Sequence, residues 1–256
     1  MSTPLVALIT AGTAGLGATT ARLFARSGIR VVVNYAGNTD RANSLVEELR
    51  SISTLSGSDD SSRNDFHAVQ ADLSKRDDVR RLVEESVAAM GRLDIVFSNG
   101  GWTKIRDLND LDDNVEEDDW DRCFNMNVKS HLWLMHAAKR HLDETEGAFI
   151  TTASLAGVKF SGSSMAYAVT KAAQIHLVKG LAIAAAPKIR VNSVAPGLML
   201  TEWGLQFGPE KIEANKERTR LKRLATVEDV AEQVLCFARS RSVTGTNAVI
   251  DGGMAL

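Results

Sequence analysis

The sequence predicts a doubly wound α/β fold, with one parallel sheet of seven strands and helices on both faces. Two observations carry this. Short runs that are apolar throughout, as strands buried on both faces must be, alternate along the chain with longer stretches of helical periodicity. A glycine-rich turn stands directly between the first such run and the first helix, where open α/β sheets bind ligands. The 256 residues suit a single sheet of this kind, expected to span 1–256 as one domain.

The elements follow in order. Leu5 to Ile9 is the first strand, and Leu16 to Ser27 has apolar positions at helical spacing with Gly28 at its end. Ile29 to Val33 is the second strand and Arg41 to Ile52 the second helix. The Ser-rich stretch Ser51 to Asn64 reads as a solvated loop. Phe66 to Gln70, a helix over Val79 to Met90, and the strand Leu93 to Phe97 come next. A polar, acidic connection over 102–119 leads to a long helix, Trp120 to His141. Then come the strand Ala148 to Thr152, a helix over Ala166 to Ala185, the strand Ile189 to Val194, a helix over Val227 to Ala238 and the strand Ala248 to Ile250.

Composition narrows the function. A formal net charge of -2 creates no field that would gather nucleic acid or an acidic membrane, so neither is an expected partner. The run Leu5 to Ile9 is too short for a signal-peptide core and has no basic residues ahead of it. The two cysteines, Cys123 and Cys236, form no metal or redox motif, and His131, His136 and His141 lie on one helix without a ligand set, so no metal is expected. A reduced, cytoplasmic protein is the reading.

Chemistry enters at the turn Thr10-Ala-Gly12-Thr13-Ala-Gly15-Leu16-Gly17. Glycines let the backbone approach a pyrophosphate, and the helix start offers free N–H groups and a positive dipole end. About twenty residues on, the second strand ends Asn34-Tyr35-Ala36-Gly37-Asn38, without the acid that a ribose 2′-hydroxyl attracts in NAD sites. Asn38, Thr39 or Arg41 could bond a 2′-phosphate instead, which points to NADP(H). Further along, Tyr167 and Lys171 stand four apart on one helix face. An ammonium beside a phenol favours the phenolate, so the pair suits proton transfer to and from a carbonyl oxygen. Ser154, thirteen residues before Tyr167, follows a strand end, where it serves as a substrate-bonding hydroxyl or as a cap. Asn127 falls inside the long helix, where an amide is an unnatural choice unless bonded locally.

Together these residues resemble the short-chain dehydrogenase/reductase family over essentially the whole chain, Leu5 to Gly253. Thr10 to Gly17 resembles the family's TGxxxGxG turn, with Ala11 where the first glycine is usual. Ser98-Asn99-Gly100-Gly101 is similar to its NNAG segment, of which Asn99 and Gly101 carry over. Pro196-Gly197-Leu-Met199-Leu-Thr201 resembles the PGxxxT loop, and Asp251-Gly252-Gly253 the terminal DGG. The resemblance implies a Rossmann-type fold and a tetrad. In it Tyr167 is the general acid/base and Lys171 bonds the nicotinamide ribose. Ser154 holds the carbonyl, and Asn127 holds a water linking Lys171 to solvent. It also implies that Asp72, followed by Leu73, bonds the adenine, and that Met199 and Thr201 contact the carboxamide or phosphates. A tetramer built on the two long helices is implied as well. The Asn-Tyr-Ala end of the second strand is similar to that of fungal NADPH-dependent naphthol and polyketide reductases.

The expected function is hydride transfer between NADP(H) and a ketone or secondary alcohol. Trp203, Leu205 and Phe207, in a substrate loop over about 198–224, and Trp102 at the expected cleft mouth suggest an apolar or aromatic ketone of secondary metabolism. Arg218, Arg220, Lys222 and Arg223 read as a solvated helix face. A cofactor-binding scaffold or sensor, and an isomerase or cyclase on the same fold, are the alternatives that the sequence leaves open.

Overall fold

The computed structural model describes residues 3–55 and 65–256. Seven strands form one sheet in the order β3-β2-β1-β4-β5-β6-β7, parallel throughout. They are β1 Val6–Ile9, β2 Arg30–Tyr35, β3 Phe66–Gln70, β4 Ile95–Ser98, β5 Ala148–Thr152, β6 Arg190–Pro196 and β7 Asn247–Ile250. The helices are α1 Gly15–Arg26, α2 Thr39–Ile52, α3 Arg76–Met90, α4 Glu117–Phe124, α5 Ser130–Thr145, α6 Met165–Ala185, α7 Gly208–Arg218 and α8 Val227–Arg239.

The uniformly apolar strands divide their side chains between two cores. In β1, Ala7 and Ile9 join Phe24, Phe66 and Val234 on the face covered by α1, α2 and α8, whereas Val6 and Leu8 join Leu82, Leu134 and Val178 on the other. Period-two alternation between two buried faces leaves no polar position, and this is why these runs lack one. The chain moves outward from β1 to β3 and then returns to lay β4 on the other side of β1. That reversal opens a crevice at the carboxyl ends of β1 and β4, and it positions everything that follows.

Three elements differ from the sequence reading. The long helix begins at Glu117 and ends at Thr145, and a π-helical turn at Asn125–Lys129 interrupts it. The acids Glu117, Asp118 and Asp119 belong to its first turn, where they favour the helix dipole, and not to the connection before it. Arg106 of that connection donates to both Asp113 and Asp119, which ties the connection to α4. Buried Asn114 accepts from Met165 N at 2.9 Å and so fixes the start of α6. The loop expected over Ser51 to Asn64 starts later, because α2 runs to Ile52, and positions 56–64 lie outside the described residues.

Candidate active site

A cleft of about 840 Å³ opens at the carboxyl end of the sheet, bordered by the start of α1, the turn after β5, the face of α6, the loop after β6 and α7. Of the residues expected to act there, Gly15, Leu16, Asn99, Gly101, Ser154, Tyr167, Lys171, Pro196, Gly197, Met199 and Thr201 line it.

The glycine turn is built for close approach. A Cβ on Gly17 would stand 2.4 Å from Ala11 O, so only glycine fits. Ala14 precedes α1 in extended geometry with no side-chain cap, and the first turn of α1 carries no acid. Its N–H groups therefore lack a side-chain partner and face the cleft, the donor set that a pyrophosphate requires. Ala11 adopts the left-handed region at φ 47. Two amides hold it there: Asn34 Oδ1 accepts from Ala11 N at 3.1 Å, and Asn99 Nδ2 donates to Ala11 O at 3.4 Å. Asn34 thus has a different task from the cofactor contact expected of it. It is 1% exposed, and its Nδ2 faces the carbonyls of Tyr35, Val69 and Ala71. Asn99 also accepts from Thr152 Oγ1 at 2.8 Å, tying the turn to β5.

Ser164 caps α6 by accepting from Tyr167 N, which sets Tyr167 in the first turn and Lys171 one turn further on the same face. The short turn Leu155–Gly157 brings Ser154 to them. It packs so tightly on α6 that a Cβ on Gly157 would lie 2.5 Å from the Lys171 backbone. Of the two readings of Ser154, the structure shows the cap and places the hydroxyl beside Tyr167. Its Oγ accepts from Ala156 N as a cap, and its hydroxyl faces Tyr167 and eases the phenol's ionisation. Lys171 is buried, and its Nζ donates to Thr152 O at 2.8 Å and to Gln174 Oε1 at 2.9 Å.

The electrostatics reverse one expectation. Burial pushes the Tyr167 phenol up to about 12, and burial pushes the Lys171 amine down to about 7. Desolvation disfavours the charged form of each, and at Tyr167 it outweighs the help from Ser154. The Lys171 Nζ stands 5.6 Å from the phenol ring centre and spends its hydrogen bonds on β5 and Gln174, so in this arrangement it does not acidify the phenol.

Asn127 lies in the π-helical turn, fully buried. The extra residue of that turn faces its amide inward, where Oδ1 accepts from Trp102 N at 2.8 Å and Nδ2 donates to Trp102 O and Thr170 Oγ1, both at 3.0 Å. Both N–H groups are taken, leaving one lone pair on Oδ1, so the side chain clamps the β4 loop more than it seats a water. Trp102, expected at the cleft mouth, is absent from the cleft lining, and its ring lies under the Arg122 guanidinium at 5.7 Å.

With this geometry in place, the comparisons decide the family. Residues 10–255 match the family described as enoyl-(acyl carrier protein) reductase. The chain is 34% identical, over 98% of its length and 96% of the relative's, to a protein named as ketoacyl reductase 2 of the granaticin polyketide synthase of Streptomyces violaceoruber. The chain belongs to the short-chain dehydrogenase/reductase family. Two solved structures of such enzymes superpose closely. A short-chain dehydrogenase from Burkholderia cenocepacia in complex with NADP has a TM-score of 0.85 at 31% identity, over 98% of this chain and 97% of that one. A 3-ketoacyl-(acyl-carrier-protein) reductase from Brucella melitensis, complexed with NADH, has a TM-score of 0.85 at 26% identity, over 98% of both chains.

In this short-chain dehydrogenase/reductase several residues expected at the dinucleotide stand apart from the main cleft. Tyr35, Asn38, Asp72 and Leu73 lie outside the lining of the main cleft, at the ends of β2 and β3. Asn38 caps α2 by accepting from Arg41 N. Asp72 accepts from both N and Oγ of Ser74, which, with nearby Lys75, holds its carboxyl below the usual range. Leu73 packs where a Cβ on Gly100 would stand. Gly12 and Thr13 shape the glycine turn without lining the cleft. Arg41 reaches across to Glu202 at 3.3 Å, a partner that no local sequence signal reveals.

The loop after β6 closes the site. Thr201 lies against Gly15, its Oγ1 accepting from Gly204 N. Trp203 packs edge-on to Tyr167. Phe207 lines the cleft, as do Lys211 and Arg218 of α7, so Arg218 faces the site and is not on a purely solvated face. Among the described residues no group of three or more His, Cys, Asp or Glu could hold a metal, and no helix is long and apolar enough to cross a membrane.

Proposed function

We propose that the protein reduces a ketone with NADPH, or oxidises the corresponding secondary alcohol, in the cleft above Lys171. The observation that carries this reading is the convergence of Tyr167, Ser154 and Lys171 in one cleft with the uncapped start of α1. The N–H groups of α1 would hold the pyrophosphate, Thr201 and Met199 would border the nicotinamide end, and Lys171 would meet the ribose. The bound dinucleotide supplies the hydride that the carbonyl carbon accepts. Ser154 holds the carbonyl oxygen, and Tyr167 donates its proton to that oxygen. A phenol near 12 is fully protonated at neutral pH, and an alkoxide is a far stronger base, so this transfer runs downhill. In the oxidation direction the phenolate must form, and there the Ser154 hydroxyl eases its ionisation.

The absence of an acid at the end of β2, together with Arg41 in the first turn of α2, supports NADPH over NADH. Leu155, Phe160, Leu198, Trp203 and Phe207 give the cleft an apolar and aromatic wall, which supports an apolar or aromatic ketone of secondary metabolism. The name of the Streptomyces relative agrees in kind. The loop over about 198–224 would set the substrate, and the exposed Leu132, Val169 and Ile183 on α5 and α6 support a homotetramer through those helices. The test is oxidation of NADPH, followed by its absorbance, with a panel of cyclic, aromatic and 3-oxoacyl ketones. No turnover with any of them overturns the reading.

A further inference from the structure

Position 174 lies one turn beyond Lys171 on α6, and its glutamine is 0% exposed. A buried amide is costly unless its groups are bonded, and a leucine or methionine would fill the same volume without that demand. Gln174 is bonded in one specific way. Its Oε1 accepts from Lys171 Nζ at 2.9 Å, and its Nε2 donates to Thr152 O at 3.1 Å. The amide cannot be turned round, because an ammonium only donates and a carbonyl only accepts. Thr152 O also accepts from Lys171 Nζ at 2.8 Å, so amine, amide and β5 carbonyl close a ring of three hydrogen bonds.

We propose that Gln174 is a positioning residue that anchors the Lys171 amine beside the cleft and favours its ammonium form. This rests on the reading of Lys171 as part of the reaction machinery. The surroundings explain why such help is needed. Cys123 of α4, His131 of α5 and Tyr167 of α6 are the titratable groups nearest the amine. Burial keeps each neutral near pH 7, pushing the thiol up to about 11, the imidazole down to about 3 and the phenol up to about 12. Asp119 of α4 is committed to Arg106. Among the described residues only Cys123 lends the amine charge support, which its high-lying thiol makes small near pH 7, and two neutral oxygens, Thr152 O and Gln174 Oε1, hold the proton of Lys171. Of the two, only the Gln174 oxygen belongs to a side chain. With both protons fixed, the Nζ stays close to Gly101, where a Cβ would be 3.6 Å away, instead of following the free rotamers of its stem.

The experiment is an NMR titration of the cofactor-free protein carrying lysine labelled with ¹³C at Cε and ¹⁵N at Nζ, with Lys171→Met identifying the resonance. In Gln174→Leu the midpoint of Lys171 should fall from about 7 by about one pH unit, the loss of one hydrogen bond to a charged group. In Gln174→Glu it should rise above the native midpoint by about one to three units. A purely structural role for Gln174 would not move the midpoint in opposite directions. Unchanged midpoints in both variants overturn the proposal. If Gln174→Leu fails to fold, Gln174→Glu against the native protein decides it alone, and a midpoint at or below the native one is the overturning result. A second arm follows the pH dependence of NADPH oxidation, whose Lys171-dependent limb should shift in the same two directions. Absence of turnover in the native protein would sink the reductase reading while leaving the titration able to test Gln174.

Discussion

The indole of Trp203 stands edge-on to the phenol of Tyr167, ring centres 5.9 Å apart at 68°. A loop residue thereby touches the phenol proposed as proton donor. A Cβ on Gly101 would meet the far edge of the same indole at 3.9 Å, so Trp203 spans the cleft from the β4 loop to α6. On the proposed function, substrate and cofactor would share this space with the indole. Binding of NADPH should therefore change the tryptophan fluorescence, and Trp203→Phe should remove most of that change although Trp102, Trp120 and Trp133 remain. Trp203→Ala should raise KM for an aromatic ketone on the order of tenfold, the worth of one aromatic contact. An unaltered KM would place the indole outside the substrate path.

Tyr167→Phe removes the proton and keeps the ring. Turnover should fall on the order of 10² to 10⁴-fold, the usual scale of a lost general acid. The dissociation constant for NADPH, measured by calorimetry, should stay within about threefold of the native value, because no dinucleotide contact proposed above depends on the hydroxyl. Equal losses in binding and turnover would contradict the assigned role.

Lys171 should leave a mark on stability. Its amine titrates near 7 when folded against a reference of 10.5. Between those values the unfolded chain binds more protons than the native one, so stability rises with pH across that window, and below about 7 the full penalty is present. Lys171→Met should therefore raise the Tm at pH 6. The gain should shrink toward zero as pH approaches 10.5. Thermal scans across the series check the sign, and a gain that grows with pH would refute it.

Among the described residues Arg41 pairs with one carboxylate, Glu202, at the surface. If a 2′-phosphate takes that guanidinium, Arg41→Ala should weaken NADPH about tenfold and leave NADH nearly unchanged, as expected for loss of one charge-assisted contact. Glu202→Gln should tighten NADPH by removing the competitor. Parallel calorimetric titrations with both dinucleotides separate these outcomes. Equal weakening of NADPH and NADH would speak against a 2′-phosphate contact.

Ala11 occupies a left-handed conformation at φ 47 that costs an alanine about 1 to 2 kcal/mol. The bonds from Asn34 and Asn99 to its backbone keep it there. Ala11→Gly relieves the strain but adds freedom to the unfolded chain, for a net gain of about 0.5 to 1 kcal/mol. Denaturant unfolding should show a higher midpoint at unchanged slope, and a lower midpoint would mean that the methyl packs usefully.

What was legible in the sequence were features that repeat or that stand close together. Strands such as Val6–Ile9 announce themselves because both faces are buried, and the α6 pair because four residues make one helical turn. Features made by distant chain segments were not legible. Gln174 reads as any helix residue until Thr152 of β5 is beside it. Arg41 and Glu202 lie 161 positions apart. Asn34 looked like a cofactor contact because its place in the chain is right, yet its amide is consumed inside the turn. The phenol's acidity is hidden for a related reason: spacing reveals a neighbouring amine, but not that burial outweighs it.

The π-helical turn at Asn125–Lys129 holds one residue more than an ordinary helical turn. Deleting one residue there would let the turn relax to α geometry while α4 and α5 keep their faces. Leu134, Met135, Ala138 and Leu142 would still meet the sheet, and the loss would fall on the Asn127 amide, which would leave Trp102 and Thr170. A shortened chain should therefore keep its core and lose the grip on the segment after β4, so that a deletion scan here separates folding from the shaping of the cleft.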